Sequence, residues 1–289
     1  MMTIAIVTDT ACNITAKMAE EMGIYLLPLE IMIDDHNYKD GFDITTEEFY
    51  ERMATAEKIP TTSQPLPGTA LELYQKLGEE YDEILSIHLG SNVSGAVETL
   101  GLIGKEVETA KVTTYDTKLV SVPAGYLVNE AKRMVAEGHS VDEIIPQLDI
   151  LREQSVAYAA VHTLDYLVES GRVPAVVGSM AKLAKIKPIL TIKAHDEKGV
   201  GVSDKVRTSK RANKKLIELA KAYTDKLDYP FHLDIAHGNV PEMMAELKID
   251  VEEAFPEHTI QTHVLTSVIG AHSGPDIVGI FIAPDLTKN

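Results

Sequence analysis

Apolar positions fall in two rhythms along the chain. Residues 4–7 form a short apolar run, the signature of a strand buried on both faces of a parallel sheet, and 84–89 and 112–115, which ends at Asp116, read as further strands. Between them, apolar residues recur every three or four positions and predict helices. One helix is expected over 13–22, with Gly23 as its stop. A second lies in ITTEEFYERMATAE, where Thr45 stands three residues before Glu48, the spacing of a capping box. TALELYQKLGEEY, AVETLGLIG and residues 122–137 read as further helices, and Ser140 with Glu143 opens one more. Residues 25–33 read as another strand, with Asp34-Asp35-His36-Asn37 as its turn. Strand and helix alternate, which predicts an open α/β domain with a mainly parallel sheet and flanking helices. Ligands of such sheets bind beyond the carboxyl ends of the strands.

The rhythm changes near Ser155. Residues 156–161 predict a strand, TLDYLVESGRVP a short helix closed by Gly171, and 180–186 a helix. Residues 188–193 and 200–206 flank Asp196-Glu197-Lys198-Gly199, a hairpin signature. RANKKLIELAKAY carries an apolar stripe through Leu216, Ile217, Leu219 and Ala220. Strands at 231–236, 259–265 and 277–282 and a helix at 241–248 complete a second, smaller mixed α/β unit. The expected domains are 1–153 and 154–289, with the ligand near the interdomain crevice.

Charge narrows the function. Of 289 residues, 27 are Lys or Arg and 44 are Asp or Glu, a net charge of −17. So acidic a chain is a poor binder of nucleic acid or an anionic membrane. A single cysteine, Cys12, excludes an intramolecular disulfide and fits a reducing, cytoplasmic setting. The start, MMTIAIVTDT, reads as a first strand and lacks the basic region of a signal peptide. No apolar stretch is long enough for an integral membrane protein. The ten histidines include no HExxH, so no metal is expected, and the absence of a Walker A loop or GxGxxG argues against ATP or NAD as cofactor.

Two loops carry candidate chemistry. Thr61-Thr62-Ser63-Gln64-Pro65-Leu66-Pro67-Gly68 sets hydroxyls and a carboxamide on a backbone stiffened by two prolines, with Gly68 free to take unusual conformations. Gly90-Ser91-Asn92-Val93-Ser94-Gly95 lies between a strand and a helix, the usual anion cradle of α/β proteins. The first of these loops also reads as an ordinary capping turn. Ser94 with His272, in the Gly/Ser/Pro-rich loop IGAHSGPD, offers a nucleophile and a base, so a serine hydrolase of acyl substrates is one alternative. Against it, Asn92 stands where a nucleophile elbow needs glycine. A binding module for another carboxylate or phosphate is a second alternative. Residues 205–215 hold six cations and no acid, and Lys182, Lys185 and Lys187 add a second cluster. Such patches suit a phosphate or an acidic partner, and Arg207, just before the helix, is the expected contact.

Taken in order, Thr8-Asp9-Thr10, TTSQPLPG, GSNVSGA, ESGRVP, KIKPIL, KVRTSKRA and IGAHSGPD resemble the motifs of the DegV family of bacterial fatty-acid-binding proteins over essentially the whole chain. The resemblance implies a two-domain carrier rather than an enzyme. It holds one long-chain fatty acid, such as palmitate, with the tail buried in the first domain. By motif position the carboxylate is held by Thr62 and Ser94, with Gly95 and His272 beside it. Ser63, Gln64, Arg172 and Arg207 are implied as headgroup, partner or phosphate contacts. The resemblance further implies a separate fatty acid kinase that converts the bound carboxylate to an acyl phosphate. Leu66 stands where the family usually has Ser, Ala96 replaces Thr and Asp276 replaces Gly, departures that bear on chain selectivity and partner fit.

Overall fold

The computed structural model describes residues 3–172, 186–195 and 199–288. They form two compact units: residues 1–153 joined by Thr266–Val268, and residues 154–265 joined by 269–289.

In the first unit β1 (Ile4–Asp9), β2 (Tyr25–Leu27), β6 (Glu83–His88) and β7 (Lys111–Asp116) make a fully parallel sheet in the order β2-β1-β6-β7. The crossovers are helical: α1 (Ala16–Met22), α3 (Pro67–Gly78) and α4 (Ala96–Gly104). Side chains alternate across a strand, so Ala5, Val7 and Ile84 share one face. There they meet Ala70, Tyr74 and Leu77 of α3 and Leu100 and Ile103 of α4. α5 (Ser121–Ala136) packs on β1 and β6. It approaches so closely that a Cβ on Gly125 would lie 2.7 Å from the Cys12 carbonyl.

The expected strand over 25–33 is two strands in different sheets. Pro28 has no N–H to continue a ladder, so β2 ends at Leu27 and β3 (Glu30–Ile33) begins a separate sheet. β3 pairs antiparallel with β4 (His36–Lys39) and β5 (Thr61–Ser63). Asp34 and Asp35, at φ 46° and 67°, make the two-residue hairpin turn, while His36 and Asn37, expected in it, belong to β4. The first helix begins at Ala16, three residues later than expected, because a 3-10 turn over Thr10–Cys12 ends in left-handed Asn13. Gly68 takes no special conformation: it is the second residue of α3, in open space. The remaining helices of this region are α2 (Thr46–Met53) and α6 (Val141–Gln154).

The second unit is a six-stranded mixed sheet, built from β8 (Val156–Val161), β9 (Lys187–Lys193), β10 (Val200–Val206), β11 (Phe231–His237), β12 (Gln261–Val264) and β13 (Ile277–Pro284). Its order is β10-β9-β8-β13-β11-β12, antiparallel except for β11 with β12. Val156, Tyr158, Val278 and Ile280 pack against α8 (Ser209–Thr224) and α9 (Pro241–Ala254) through Leu216, Ala220, Leu247 and Val251. α7 (Asp165–Ser170) follows β8 and closes at left-handed Gly171. α10 (Ser267–Ser273) precedes β13. Of the expected helix over 180–186, all but Ile186 lies outside the described residues, as do Lys182, Lys185 and Asp196–Lys198 of the hairpin turn. Among the described residues, no helix is long and apolar enough to cross a membrane.

Both halves of the Thr45 capping box form: Thr45 Oγ1 accepts from Glu48 N at 3.2 Å, and Glu48 accepts from Thr45 N at 3.0 Å. Thr45→Ala should therefore cost about 1 kcal/mol in urea unfolding, and an unchanged midpoint would show that α2 does not depend on its cap.

Candidate functional site

The face of the sheet that is apolar under α3 turns polar at its carboxyl end. Ala5 and Val7 are followed on that face by Asp9, and Ile84 by Ser86 and His88, all fully buried. The four side chains Tyr74, Ser86, His88 and Asp9 form one chain. Tyr74 OH lies 2.7 Å from Ser86 Oγ, Ser86 Oγ 2.6 Å from His88 Nε2, and His88 Nδ1 2.9 Å from Asp9 Oδ2. Asp9 also accepts from Leu89 N at 3.0 Å and from Ala11 N at 3.0 Å. Ser86, His88 and Asp9 thus have the connectivity of a hydrolytic triad. Yet Ser86 has no exposed surface and its hydroxyl is already engaged by Tyr74, so no substrate reaches it. Sequence reading missed this chain. Its one signal was Ser-x-His at alternate positions of an otherwise apolar strand.

Beyond β6 the backbone is held tightly. Gly90 N donates to Leu119 O at 2.7 Å, and a Cβ on Gly90 would lie 2.7–2.8 Å from the Lys118 backbone. Lys118 is left-handed at φ 55°, and its carbonyl accepts from Asn92 Nδ2 at 3.1 Å. Burial works to raise the Asp116 carboxyl, but hydrogen bonds from Lys118 and Ser91 outweigh it and hold the group below its ordinary range. Val93 N and Ser94 N both donate to Gly90 O, and Ala96 N donates to Ser94 Oγ at 3.2 Å. The hydroxyl proton of half-buried Ser94 meets no acceptor among the described residues. Gly95, the N-cap of α4, is exposed, with nothing within 4 Å of where a Cβ would stand. This corner offers a hydroxyl donor and the N-terminal end of α4, whose first amide, Ala96 N, is already taken by Ser94 Oγ.

Thr62 sits half-buried at the centre of β5, opposite Ile31, with Ser63 exposed beside it. Gln64 Oε1 accepts from Thr99 Oγ1 at 3.1 Å, which ties this loop to α4 five residues past Ser94. The structure thus brings Thr62, Ser63, Gln64, Ser94 and Gly95 onto the first unit. Leu66 takes the N-cap of α3 and supplies no side-chain acceptor. Nearby, Asp40 is only 1% exposed. Burial pushes its carboxyl up to about 6, a rise eased by the neighbouring polar groups of Ser267, Thr10 and the Val268 backbone.

The second unit carries the other candidates. His272 lies within α10, not in a loop as expected, because the helix continues through its Gly-Ala-His-Ser. Burial, with a smaller push from the Arg172 charge, lowers its pKa to about 4. Arg172 follows the left-handed Gly171, is exposed, and donates to Ser170 O at 2.8 Å. Arg207 is exposed between β10 and α8, whose cap is Thr208. Lys215 is paired with Asp204 and Glu218, whereas Arg207, Lys210, Arg211 and Lys214 form no ion pair among the described residues. The hydrolase alternative therefore has its two halves, Ser94 and His272, in separate units. No cluster of three metal-ligating side chains occurs among the described residues.

Two outcomes test this geometry. Gly90→Ala should cost about 1–3 kcal/mol in chemical denaturation, because a methyl there would meet the Asn92 side chain and also the Lys118 backbone, which cannot yield; a neutral variant would show that the turn can shift. In NMR titration, His272 should protonate near 4. Between its ordinary 6.5 and about 4 the unfolded chain binds a proton that the folded chain does not, so this group lowers stability progressively as pH falls through that window. Arg172→Ala should raise the value only part of the way, since burial is the larger cause, and a full return to 6.5 would contradict that order.

Known proteins of this architecture match along the full length. The family model described as an uncharacterised protein, DegV family, matches residues 3–285. The DegV domain-containing protein lin2658 of Listeria innocua is 31% identical over 279 residues, 96% of this chain and 97% of that protein. The crystal structure of DegV from Bacillus subtilis, described as a fatty acid binding protein, superposes with a TM-score of 0.89 at 29% identity, covering 99% of this chain and 100% of that one. A DegV family protein from Thermus thermophilus, described by its fatty acid binding, gives 0.88 at 27% identity, covering 98% and 100%. The chain belongs to the DegV family.

Proposed function

We propose that this protein binds one long-chain fatty acid, such as palmitate, with its tail among the apolar side chains of the first unit. The observation that carries the reading is the match, over nearly the whole chain, to crystallised DegV proteins described as fatty-acid-binding. Elementary energetics agree with it. A tail of about fifteen carbons at ~0.8 kcal/mol per buried methylene offers roughly 12 kcal/mol, before the costs of ordering and immobilisation.

The headgroup has matching donors. In this reading the carboxylate accepts from Thr62, from the Ser94 hydroxyl and from the amides opening α4 at Gly95. Ser63 and Gln64 shape the same loop. His272, uncharged at neutral pH because burial lowers its pKa to about 4, contributes a hydrogen bond rather than a charge. The exposed guanidinium groups of Arg172 and Arg207 face a partner: a separate kinase that transfers a phosphoryl group to the carboxylate, giving an acyl phosphate. An arginine beside the transferring group would stabilise the charge that develops there. The chain itself is then a carrier, not an enzyme.

Native mass spectrometry of the purified protein, followed by lipid extraction, should find one fatty acid per chain. Thr62→Ala and Ser94→Ala should each weaken palmitate binding by roughly tenfold, the value of one hydrogen bond to a charged group. Arg172→Ala should leave binding nearly unchanged while reducing phosphorylation by a cognate kinase. A protein that is empty and takes up no added long-chain fatty acid would overturn the reading.

A further inference from the structure

We infer that Asp9 and His88 are positioning residues, and that the buried chain Tyr74–Ser86–His88–Asp9 fixes the Ser94 turn against the Thr62 loop. The inference rests on the fatty-acid reading given above.

Directions along the chain follow from what each group can do. The Asp9 carboxylate only accepts, so the proton between it and His88 is on Nδ1. With the imidazole neutral, Nε2 accepts from the Ser86 hydroxyl, and the Tyr74 hydroxyl donates to Ser86. Each link is satisfied in one consistent direction. Leu89, whose N–H donates to Asp9 Oδ2, immediately precedes Gly90, and the Gly90 carbonyl receives the amides of Val93 and Ser94. A shift of Asp9 therefore passes through backbone into the Ser94 turn. At the other end Tyr74 belongs to α3, which begins at Pro67, three residues after Gln64. The two loops are thus joined twice: by Gln64 with Thr99, and beneath them by the buried chain.

Burial alone does not call for these residues. Aliphatic side chains at 86 and 88 would pack under α3 without needing partners, and exchanging a buried polar group pair for well-packed hydrophobes is often neutral or stabilising. What a satisfied polar chain adds is a single geometry, because each member is costly unless its partner stands in one place. That geometry lies at the end of β6, from which the Ser94 turn departs.

The test compares palmitate affinity, the bound [1-13C]palmitate carboxyl signal and the unfolding free energy in Asp9→Asn, His88→Ala, His88→Asn, Tyr74→Phe and Ser94→Ala. Asp9→Asn and His88→Ala should weaken binding by about tenfold and move the carboxyl signal. His88→Asn, whose amide reproduces the Nδ1–H donor, should recover most of the affinity lost in His88→Ala. Tyr74→Phe, which keeps the shape of the core and is the safest to fold, should move the signal with an affinity loss of about threefold. A purely structural role would lower stability without moving the signal, and would give no rescue by asparagine. Wild-type signal and affinity in folded Tyr74→Phe and His88→Ala, alongside a shift in Ser94→Ala, would overturn this inference alone. No effect of Ser94→Ala would instead overturn the headgroup reading and, with it, the inference.

Discussion

The Asp9 carboxylate is the constraint on which the first unit turns. It has no exposed surface, and three N–H groups, from Ala11, Leu89 and His88, converge on its two oxygens. A carboxylate removed from water is tolerated only with such partners. The end of β1, the 3-10 turn after it and the end of β6 are therefore confined to the arrangement that supplies all three. Neighbouring parallel strands would pair along their length in any case. It is the buried acid that makes their carboxyl ends, where the loops depart, as fixed as their middles.

A second layer of constraint holds the loops themselves. Gly90 admits no side chain, Lys118 is left-handed, and Asp116 joins Ser91 to Lys118. These features leave the Ser94 turn with few ways to relax. Asp40 adds a titratable group to the same unit: its carboxyl is pushed up to about 6 from 3.8. Between those values the folded chain binds more protons than the unfolded one, so this group favours folding as pH falls through about 6 and ceases to as pH rises above it. Its contribution opposes that of His272, which loses stability on acidification.

Much of the framework was legible because it is local. Thr45 and Glu48 declare a capping box at fixed spacing, and AVETLGLIG is a helix over Ala96–Gly104 as its pattern predicts. The apolar runs at 4–7 and 84–89 are the central parallel strands. What escaped was tertiary. Pro28 divides one apolar run between two sheets, and only the missing ladder donor hinted at it. Gly68 has the composition of a turn residue, but α3 starts a residue earlier, at Pro67. His272 stands in a Gly/Ser/Pro-rich stretch whose composition suggests a loop, yet α10 runs through it. The Tyr74–His88 connection spans two elements with no periodicity to reveal it. Of the candidate site, Ser94 is legible as a residue, but the state of its hydroxyl is not: its oxygen accepts from Ala96 N while its proton meets no acceptor among the described residues.

That division of roles at Ser94 bears on how the headgroup would be held. In the proposed reading the carboxylate meets hydroxyl and amide donors, and the histidine implied beside it is kept uncharged by burial. An arginine salt bridge would bind a carboxylate more strongly, and bidentate pairs of that kind are among the tightest contacts proteins make. It would also have to be broken before an oxygen of the carboxylate could attack phosphorus. Neutral donors orient the group and leave its charge to act as a nucleophile. Affinity then comes from the tail, through buried methylenes far from the reacting atoms, so tight retention and headgroup reactivity need not compete. The guanidinium groups of Arg172 and Arg207 stay exposed, and in the proposed reading they serve a partner rather than the ligand.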